Sequence, residues 1–501
     1  LLESIHLETR LDCAIMESVI AGRDIVLTGN PGDGKTHIIR MLKKKLEGLD
    51  RQIDIELDAS TKSSQEIFVR WKTARESSIP FVIAINAAVL YSLYQAYPSF
   101  EPILEAYQQM SRAVVFHNEE TASQSLVVFD LSKREVLTRE ILKQAIRKLT
   151  NESHYTECLV CPLHDNCEVH RNRKLLNDEL FQDRLFIVLE RVALAGYHAT
   201  LREIQGFVSY LIFGNRTCKD LIKTTGNSIY ATANLIYSGK GGLFSAIQNA
   251  LDPINVSHPV WDEKLLANEI EPNTWVDGFE VPAEAIAFDN ESLFNLRKRE
   301  FFFFNAEGKH LLAILDDDVT HFQNFLSHED KKSVKELVKK LNTFFGADKP
   351  SNSELQIWTG HRYDNDPRKV LISVGSLKAN AFTIGHPCLL ESMQAGIEMT
   401  TNYLRFEKKD TPNIFLRIDF PMYLLMTEAE RGVPVLFMES DLVKKVWRFI
   451  EQLQSGEEIN DEDDVRVSLL DIQNKKKIMV TIDRDDGKYT VITSSKGRSE
   501  L

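Results

Sequence analysis

Along the first third of the chain, short apolar runs bounded by polar residues are separated by stretches of helical spacing. The clearest runs are Asp24-Ile25-Val26-Leu27-Thr28, Phe81-Val82-Ile83-Ala84-Ile85-Asn86 and Leu126-Val127-Val128-Phe129-Asp130. Their interiors are continuously apolar, which predicts strands buried on both faces, as in a parallel sheet. Weaker strands are expected over residues 53–58 and 113–116. His37-Ile38-Ile39-Arg40-Met41-Leu42-Lys43 and residues 66–75 have amphipathic helical spacing. This β-α-β alternation over about residues 20–150 predicts an α/β domain with a doubly wound parallel sheet, its ligand at the carboxyl ends of the strands.

After residue 135 the period becomes helical. Thr200-Leu201-Arg202-Glu203 is a capping box, followed by the stripe Ile204, Phe207, Val208, Leu211 and Ile212. The expectation is a helical lid packed on the first domain. From about residue 256 the pattern is mixed, with helices over residues 331–345 and 440–453 and strands over 369–374 and 413–418. The acidic run Glu457-Glu458-Ile459-Asn460-Asp461-Glu462-Asp463-Asp464 suggests a solvated linker, and Asp485-Asp486-Gly487 suggests a terminal hairpin. The expected divisions are residues 1–150, 151–255, a mixed α+β region over 256–455, and a hairpin element over 465–501. No internal repeat is visible.

At 501 residues the chain exceeds one core. Its 43% hydrophobic and 27% charged content suits a water-soluble protein. No apolar run approaches the roughly 20 residues that span a bilayer. The chain opens on Leu1-Leu2-Glu3-Ser4 without methionine or a basic signal segment, so a trimmed start and a cytoplasmic address without membrane contact are expected. A net charge of −13 argues against a surface that coats nucleic acid. The basic groups Lys43-Lys44-Lys45, Arg171-Asn172-Arg173-Lys174, Arg297-Lys298-Arg299 and Lys475-Lys476-Lys477 are expected to be solvated faces.

One motif carries a definite chemistry. Gly29-Asn30-Pro31-Gly32-Asp33-Gly34-Lys35-Thr36 fits G-x-x-x-x-G-K-[ST], with an expected strand before it and a helix from His37 after it. The glycines let backbone N–H groups turn inward as an anion nest at a helix N-terminus. Lys35 would reach the β- and γ-phosphates and Thr36 would ligate Mg²⁺. The chain is therefore expected to bind a nucleoside triphosphate. No N-K-x-D segment for guanine accompanies the loop, which favours ATP.

Hydrolysis needs a carboxylate near Mg²⁺ and a group that polarises water. Two placements are open. The strand ending at Asn86-Ala87 offers an amide but no charge or base. Asp58, in Leu57-Asp58-Ala59-Ser60, offers the charge Mg²⁺ favours, leaving Asn86 to position water. The second placement is preferred, with Glu119 or Glu120 as base only if their loop folds back. Asp130 ends another strand at the ligand edge. Arg134 would face the γ-phosphate in its own subunit, act across an interface as an arginine finger, or be a salt-bridged loop residue. Arg202, in the first turn of the lid helix, is placed to sense the γ-phosphate or to be an ordinary exposed arginine.

His154, Cys158, Cys161, His164, Cys167 and His170 form a second cluster. Cys158-x2-Cys161 is metal-knuckle spacing, and Cys167 adds a third thiolate. His170 is the preferred fourth ligand, ahead of His154 and His164, for structural Zn²⁺. Buried reduced thiols or a redox pair are the alternatives, and an iron–sulfur cluster lacks a fourth nearby cysteine. Cys13, Cys218 and Cys388 are expected to be isolated buried thiols.

In order, Gly29 to Thr36, Asp58-Ala59-Ser60, Ile83-Ala84-Ile85-Asn86, Asp130-Leu131-Ser132-Lys133-Arg134, the cysteine cluster and Thr200-Leu201-Arg202-Glu203 resemble bacterial AAA+-type ATPases of defence operons. Among these the chain looks most like the DptF-like proteins of phosphorothioation-dependent DNA restriction. The resemblance covers about residues 20–255, extending to Leu251-Asp252-Pro253 and Arg297-Lys298-Arg299-Glu300-Phe301. It implies a P-loop ATPase subunit, homo-oligomeric, working with a nuclease or helicase against foreign DNA and meeting DNA through those partners. The chain departs from the AAA+ pattern in lacking an Asp-Glu pair and from DptF-like chains in its cysteine cluster. Two other functions follow from the residues: an ATP-binding scaffold with little hydrolysis, and a zinc-containing nucleic-acid binder regulated by ATP.

Overall fold

In the computed structural model, β1 (Asp24–Thr28), β2 (Asp54–Glu56), β3 (Phe81–Ala84), β4 (Val114–Val115) and β5 (Leu126–Asp130) are the strands of the N-terminal part. Four of them form a parallel sheet in the order β2-β3-β1-β5. The structure describes residues 4–46, 52–116, 125–164, 167–223, 232–267, 269–270, 290–347, 350–362, 369–433, 435, 440–455, 464–471, 476–483 and 489–495. Every residue of β1, β3 and β5 is buried, so the continuous apolar runs do face helices on both sides. The one carboxylate in β1, Asp24, is satisfied where it is buried: Trp71 Nε1 and Phe81 N each donate to it at 2.9 Å. Burial still raises its pKa, against those donors and Arg75.

Helices α1 (Arg10–Ile20), α2 (Lys35–Leu46), α3 (Ser64–Glu76), α4 (Ala87–Ala96) and α5 (Glu101–Ser111) accompany the sheet. Thr9 and Asp12 form a capping box at α1, and Ser63 and Glu66 form another at α3. A second apolar core is helical. It is built from α6 (Arg139–Leu149), α7 (Glu168–Leu176), α8 (Glu179–Leu194), α9 (Leu201–Phe213), α10 (Cys218–Lys223), α11 (Thr232–Ser238), α12 (Gly242–Ala250), α13 (Pro259–Leu266) and α14 (Asn290–Phe304). The capping box at Thr200 and Glu203 forms, and the stripe Ile204, Phe207, Val208, Leu211 and Ile212 is the buried face of α9. Gly214, at φ +57°, ends that helix in the left-handed conformation.

Two of the basic groups are not solvated faces. Lys298 is 2% exposed and pairs with Asp262 at 2.6 Å, while Arg299 pairs with Asp252 at 2.6 Å. In the other group Asn172 and Arg173 are buried, while Arg171 and Lys174 are exposed as expected. For Lys298 and Arg299 the reason lies next door: Phe301, Phe302, Phe303 and Phe304 are all core residues, and the helix carrying them draws its neighbouring charges inside, where each needs a partner; Arg173 on α7 is held instead by the Thr150 carbonyl at 2.8 Å and Glu152 at 3.1 Å. Lys43, Lys44 and Lys45 are exposed as expected.

The chain divides into two compact units, residues 1–316 with 388–400, and residues 317–387 with 401–501. The second unit contains β6 (Glu354–Arg362), β7 (Lys369–Lys378) and β8 (Phe382–Gly385). The chain then returns to the first unit, where β9 (Cys388–Leu389) pairs antiparallel with β4. The expected strand at residues 113–116 is thus a two-residue ladder outside the parallel sheet. The second unit continues with β10 (Tyr403–Lys408), β11 (Thr411–Asp419), β12 (Asp464–Asp471), β13 (Lys476–Asp483) and β14 (Tyr489–Ser495). Its sheets run β14-β13-β12-β7-β6 and β11-β10-β8, all pairs antiparallel. The expected terminal strands therefore belong to a larger sheet, joined through β12 to β7. Residues 456–463, with most of the acidic run, and the turn at 485–487 lie outside the described residues. Among the described residues no helix is long and apolar enough to cross a membrane.

Candidate functional site

Residues 29–34 connect β1 to α2 at the carboxyl edge of the parallel sheet. Gly29 has φ +140°, and a Cβ there would stand 2.7 Å from Asp33 Oδ2 and 3.0 Å from Leu131 Cβ. Gly32 has φ +103°, and its Cβ would meet Thr200 Oγ1 at 3.2 Å. Both positions need glycine for backbone conformation and for space. The loop braces itself: the Asn30 amide donates to Asp33 Oδ2 at 2.6 Å. Two distant residues brace it further. Arg134 Nη2 donates to the Asp33 carbonyl at 2.7 Å, and His198 Nε2 lies 3.4 Å from Asp33 Oδ1.

Lys35 Nζ donates to the carbonyls of Gly29 at 2.8 Å and Asn30 at 3.0 Å. Burial lowers its pKa, while the carboxylates of Asp33, Asp58 and Asp130 oppose that shift. Two of the expected site residues, Asp58 and Asp130, therefore converge on a third, Lys35. Thr36 Oγ1 donates to the Leu57 carbonyl at 3.3 Å, which joins the start of α2 to the residue before Asp58. Asp58 and Asp130 occupy equivalent turns. Asp130 is the last residue of β5 and Asp58 stands two residues past β2, and each accepts a hydrogen bond at 3.0 Å from the amide two residues on, Ser132 N and Ser60 N. The sheet register accounts for their common edge, since Asp130 pairs with Thr28 and the Ile85 amide donates to Leu27 O at 2.9 Å. Asn86 follows directly and begins α4 without a side-chain capping bond.

Arg134 is 3% exposed and faces the loop of its own chain. Among the described residues its Nε and Nη1 have no hydrogen-bond partner, and burial lowers its pKa against the pull of Asp33 and Asp12. Arg202 is exposed in the first turn of α9. It lines a cavity of about 190 Å³ together with His6, Gly32, Gly34, His37 and Arg134. Glu119 and Glu120 lie outside the described residues.

Sequence reasoning missed a relay beside this cavity. His6 Nε2 is 3.0 Å from Asp12 Oδ1, and His6 Nδ1 is 2.9 Å from His37 Nε2. With Asp12 accepting, His6 receives on Nδ1 and His37 donates from Nε2. Burial works against the charged Asp12, but the bonds from His6 and Thr9 hold its pKa below the ordinary value. Burial and then His6 lower the pKa of His37. His37 was legible beside Thr36; nothing local marks His6 or Asp12 as its partners.

Cys167 is the N-cap residue of α7, and His170 Nδ1 is 3.2 Å from Arg173 Nη1. His164 Nδ1 donates to the Cys158 carbonyl at 3.0 Å, and its ring lies 4.8 Å from that of His170. Among the described residues no three His, Cys, Asp or Glu side chains stand close enough to hold a metal ion. All six cysteines are free thiols. The expected burial of the remaining three is corrected: Cys13 and Cys218 are exposed, and Cys388 is half-buried. Cys13 falls between buried positions of α1, and Cys218 heads a short helix at the surface.

Comparison of the chain with family models, with curated proteins and with solved structures finds no match.

Proposed function

We propose that this chain binds ATP with Mg²⁺ at Gly29–Thr36 and acts as an AAA+-like ATPase, the nucleotide-driven switch or motor subunit of a bacterial defence complex. One observation carries the nucleotide reading. The glycine loop lies at a sheet edge where the carboxylates of Asp33, Asp58 and Asp130 act on Lys35 and Thr36 reaches the Leu57 carbonyl, with Thr200 at the N-terminus of α9 against Gly32. In this reading Lys35 leaves the carbonyls of Gly29 and Asn30 for the phosphates. Thr36 and Asp58 hold the Mg²⁺ shell, and the Asn86 amide orients water. Arg134 supplies buried positive charge behind the loop, and Arg202 faces the γ-phosphate from the lid. The helices over residues 151–255 form that lid. Thr200 against Gly32 couples their position to the loop, as a switch requires.

The partner assignment, a homo-oligomer acting with a nuclease or helicase on foreign DNA, rests on the resemblance to DptF-like proteins. A second reading, an ATP-binding scaffold with little turnover, is favoured by one feature: the residue after Asn86 is Ala87, which cannot act as a base. Steady-state hydrolysis, followed with the oligomeric state and with or without duplex DNA, separates the readings. Turnover that rises with assembly and is lost in Lys35→Ala supports the motor or switch. Tight ATP binding with negligible turnover supports the scaffold, and no nucleotide binding overturns both.

A further inference from the structure

A phosphate loop holds every nucleoside triphosphate by the same groups, so the base has to be read elsewhere. The cavity of about 190 Å³ beside Gly32 and Gly34 is where a base tethered to that loop has room. Ile5, Leu7, Ile38 and Leu201 give it apolar walls suited to the faces of a planar ring. Gln205 Nε2 donates to the Ile5 carbonyl at 2.7 Å and so fastens the segment before α1 to α9. His6 and His37 bring ring nitrogens to the same cavity.

The direction of the hydrogen bonds through these rings is set at α1. Thr9 N and Thr9 Oγ1 donate to Asp12 Oδ2 at 2.9 and 3.1 Å, and His6 Nε2 stands 3.0 Å from Asp12 Oδ1. Asp12 accepts on both oxygens, so His6 carries its proton on Nε2. His6 Nδ1 is left with a lone pair, and the proton between the two rings belongs to His37 Nε2, at 2.9 Å. In the neutral ring that makes His37 Nδ1 an acceptor. Among the described residues no hydrogen bond reaches that atom.

We infer that this relay selects the base of the nucleotide: Asp12, acting through His6, keeps His37 Nδ1 an acceptor for the exocyclic amino group of adenine. A base with a carbonyl at that place, such as guanine, presents a lone pair to a lone pair and is repelled. His37 is the group that touches the base, while His6 and Asp12 are positioning residues. The inference rests on the nucleotide reading and adds which base the site takes.

The capping box at α1 allows the relay to be reversed. In Asp12→Asn the amide oxygen has to take the place of Oδ2, because the Thr9 amide donates there. The new NH₂ group then faces His6 Nε2. His6 would accept on Nε2 and donate from Nδ1 to His37 Nε2, which moves the His37 proton to Nδ1. The variant should prefer a base with a carbonyl.

Titration calorimetry on the full chain with Mg²⁺ compares ATP with inosine triphosphate, which has a carbonyl in place of the amino group. Wild type should bind ATP about tenfold tighter or more, and Asp12→Asn should invert that preference. Equal wild-type affinities overturn the inference and leave the nucleotide reading standing, as does an unchanged preference in folded Asp12→Asn. If neither nucleotide binds, the nucleotide reading falls and the inference with it. Should Asp12→Asn not fold, His37→Phe keeps an aromatic ring without the acceptor. It should bind the two nucleotides alike, and a retained preference for ATP overturns the inference.

Discussion

Arg134 and Asp33 are joined by a single hydrogen bond, from the arginine Nη2 to the aspartate's main-chain carbonyl at 2.7 Å, and it is the one bond the buried guanidinium makes among its described contacts. A guanidinium left with two unpartnered nitrogens in a buried position is costly, and a nearby anion would lower that cost. Arg134 also lines the cavity beside Gly32 and Gly34. Arg134→Met, of similar length, is therefore expected to fold while weakening ATP binding about tenfold or more, the scale of a charge-assisted contact. Thermal melts with and without ATP check this: ATP should raise Tm less in the variant. An equal rise would remove Arg134 from the anion site.

Lys35→Ala should weaken ATP binding about 10- to 100-fold, from about 1.5–3 kcal/mol for hydrogen bonds to a charged group. Its apo stability should change little, because the two carbonyls Lys35 now holds belong to a loop at the sheet edge. Isothermal titration calorimetry measures the first quantity and urea unfolding the second. Unchanged affinity would sink the phosphate-loop assignment.

Thr200→Ala removes the N-cap oxygen that accepts from Glu203 N at 3.2 Å and the partner of Glu203 Oε2. Loss of a cap of this kind costs about 0.5–2 kcal/mol. The same change empties the space over Gly32, so the rate or affinity of nucleotide binding should shift along with stability. A stability loss with unaltered nucleotide binding would uncouple α9 from the loop.

Glu300 gives the pH prediction. Burial raises its pKa to about 8, with Arg297 opposing, and its Oε2 has no hydrogen-bond partner among the described residues. The folded state therefore holds a proton that the unfolded state releases above the ordinary value of 4.5. Stability from this group is complete below 4.5 and falls as pH rises toward 8. Glu300→Gln mimics the protonated form, so its advantage over wild type should grow across that window. Urea unfolding at a series of pH values would show a constant difference if Glu300 were ionised in the fold.

The resemblance between expectation and structure is greatest where the physics is local. The capping box at Thr200 and Glu203 and the stripe from Ile204 to Ile212 need only one turn of chain and one helical period to be recognised. Strands β1, β3 and β5 were marked by continuous apolar runs, since burial on both faces leaves no polar alternation. Residues 113–116 have similar content but a different fate, because their partner, Cys388–Leu389, returns from far along the chain. Lys298 and Arg299 likewise look like surface charge until Phe301–Phe304 place their helix in a core.

By itself the sequence determined the glycine-lysine-threonine loop, the parallel strands that position it and the clustering of three cysteines, because each is written in neighbouring residues or a short period. Only the tertiary structure decided that the carboxylates of Asp58 and Asp130 both act on Lys35, that Arg134 is buried on Asp33, and that His6 and Asp12 continue from His37. Those relationships are contacts between distant segments. They are selected by how buried faces pack and how buried charges find partners, and neither is encoded in the local order of residues.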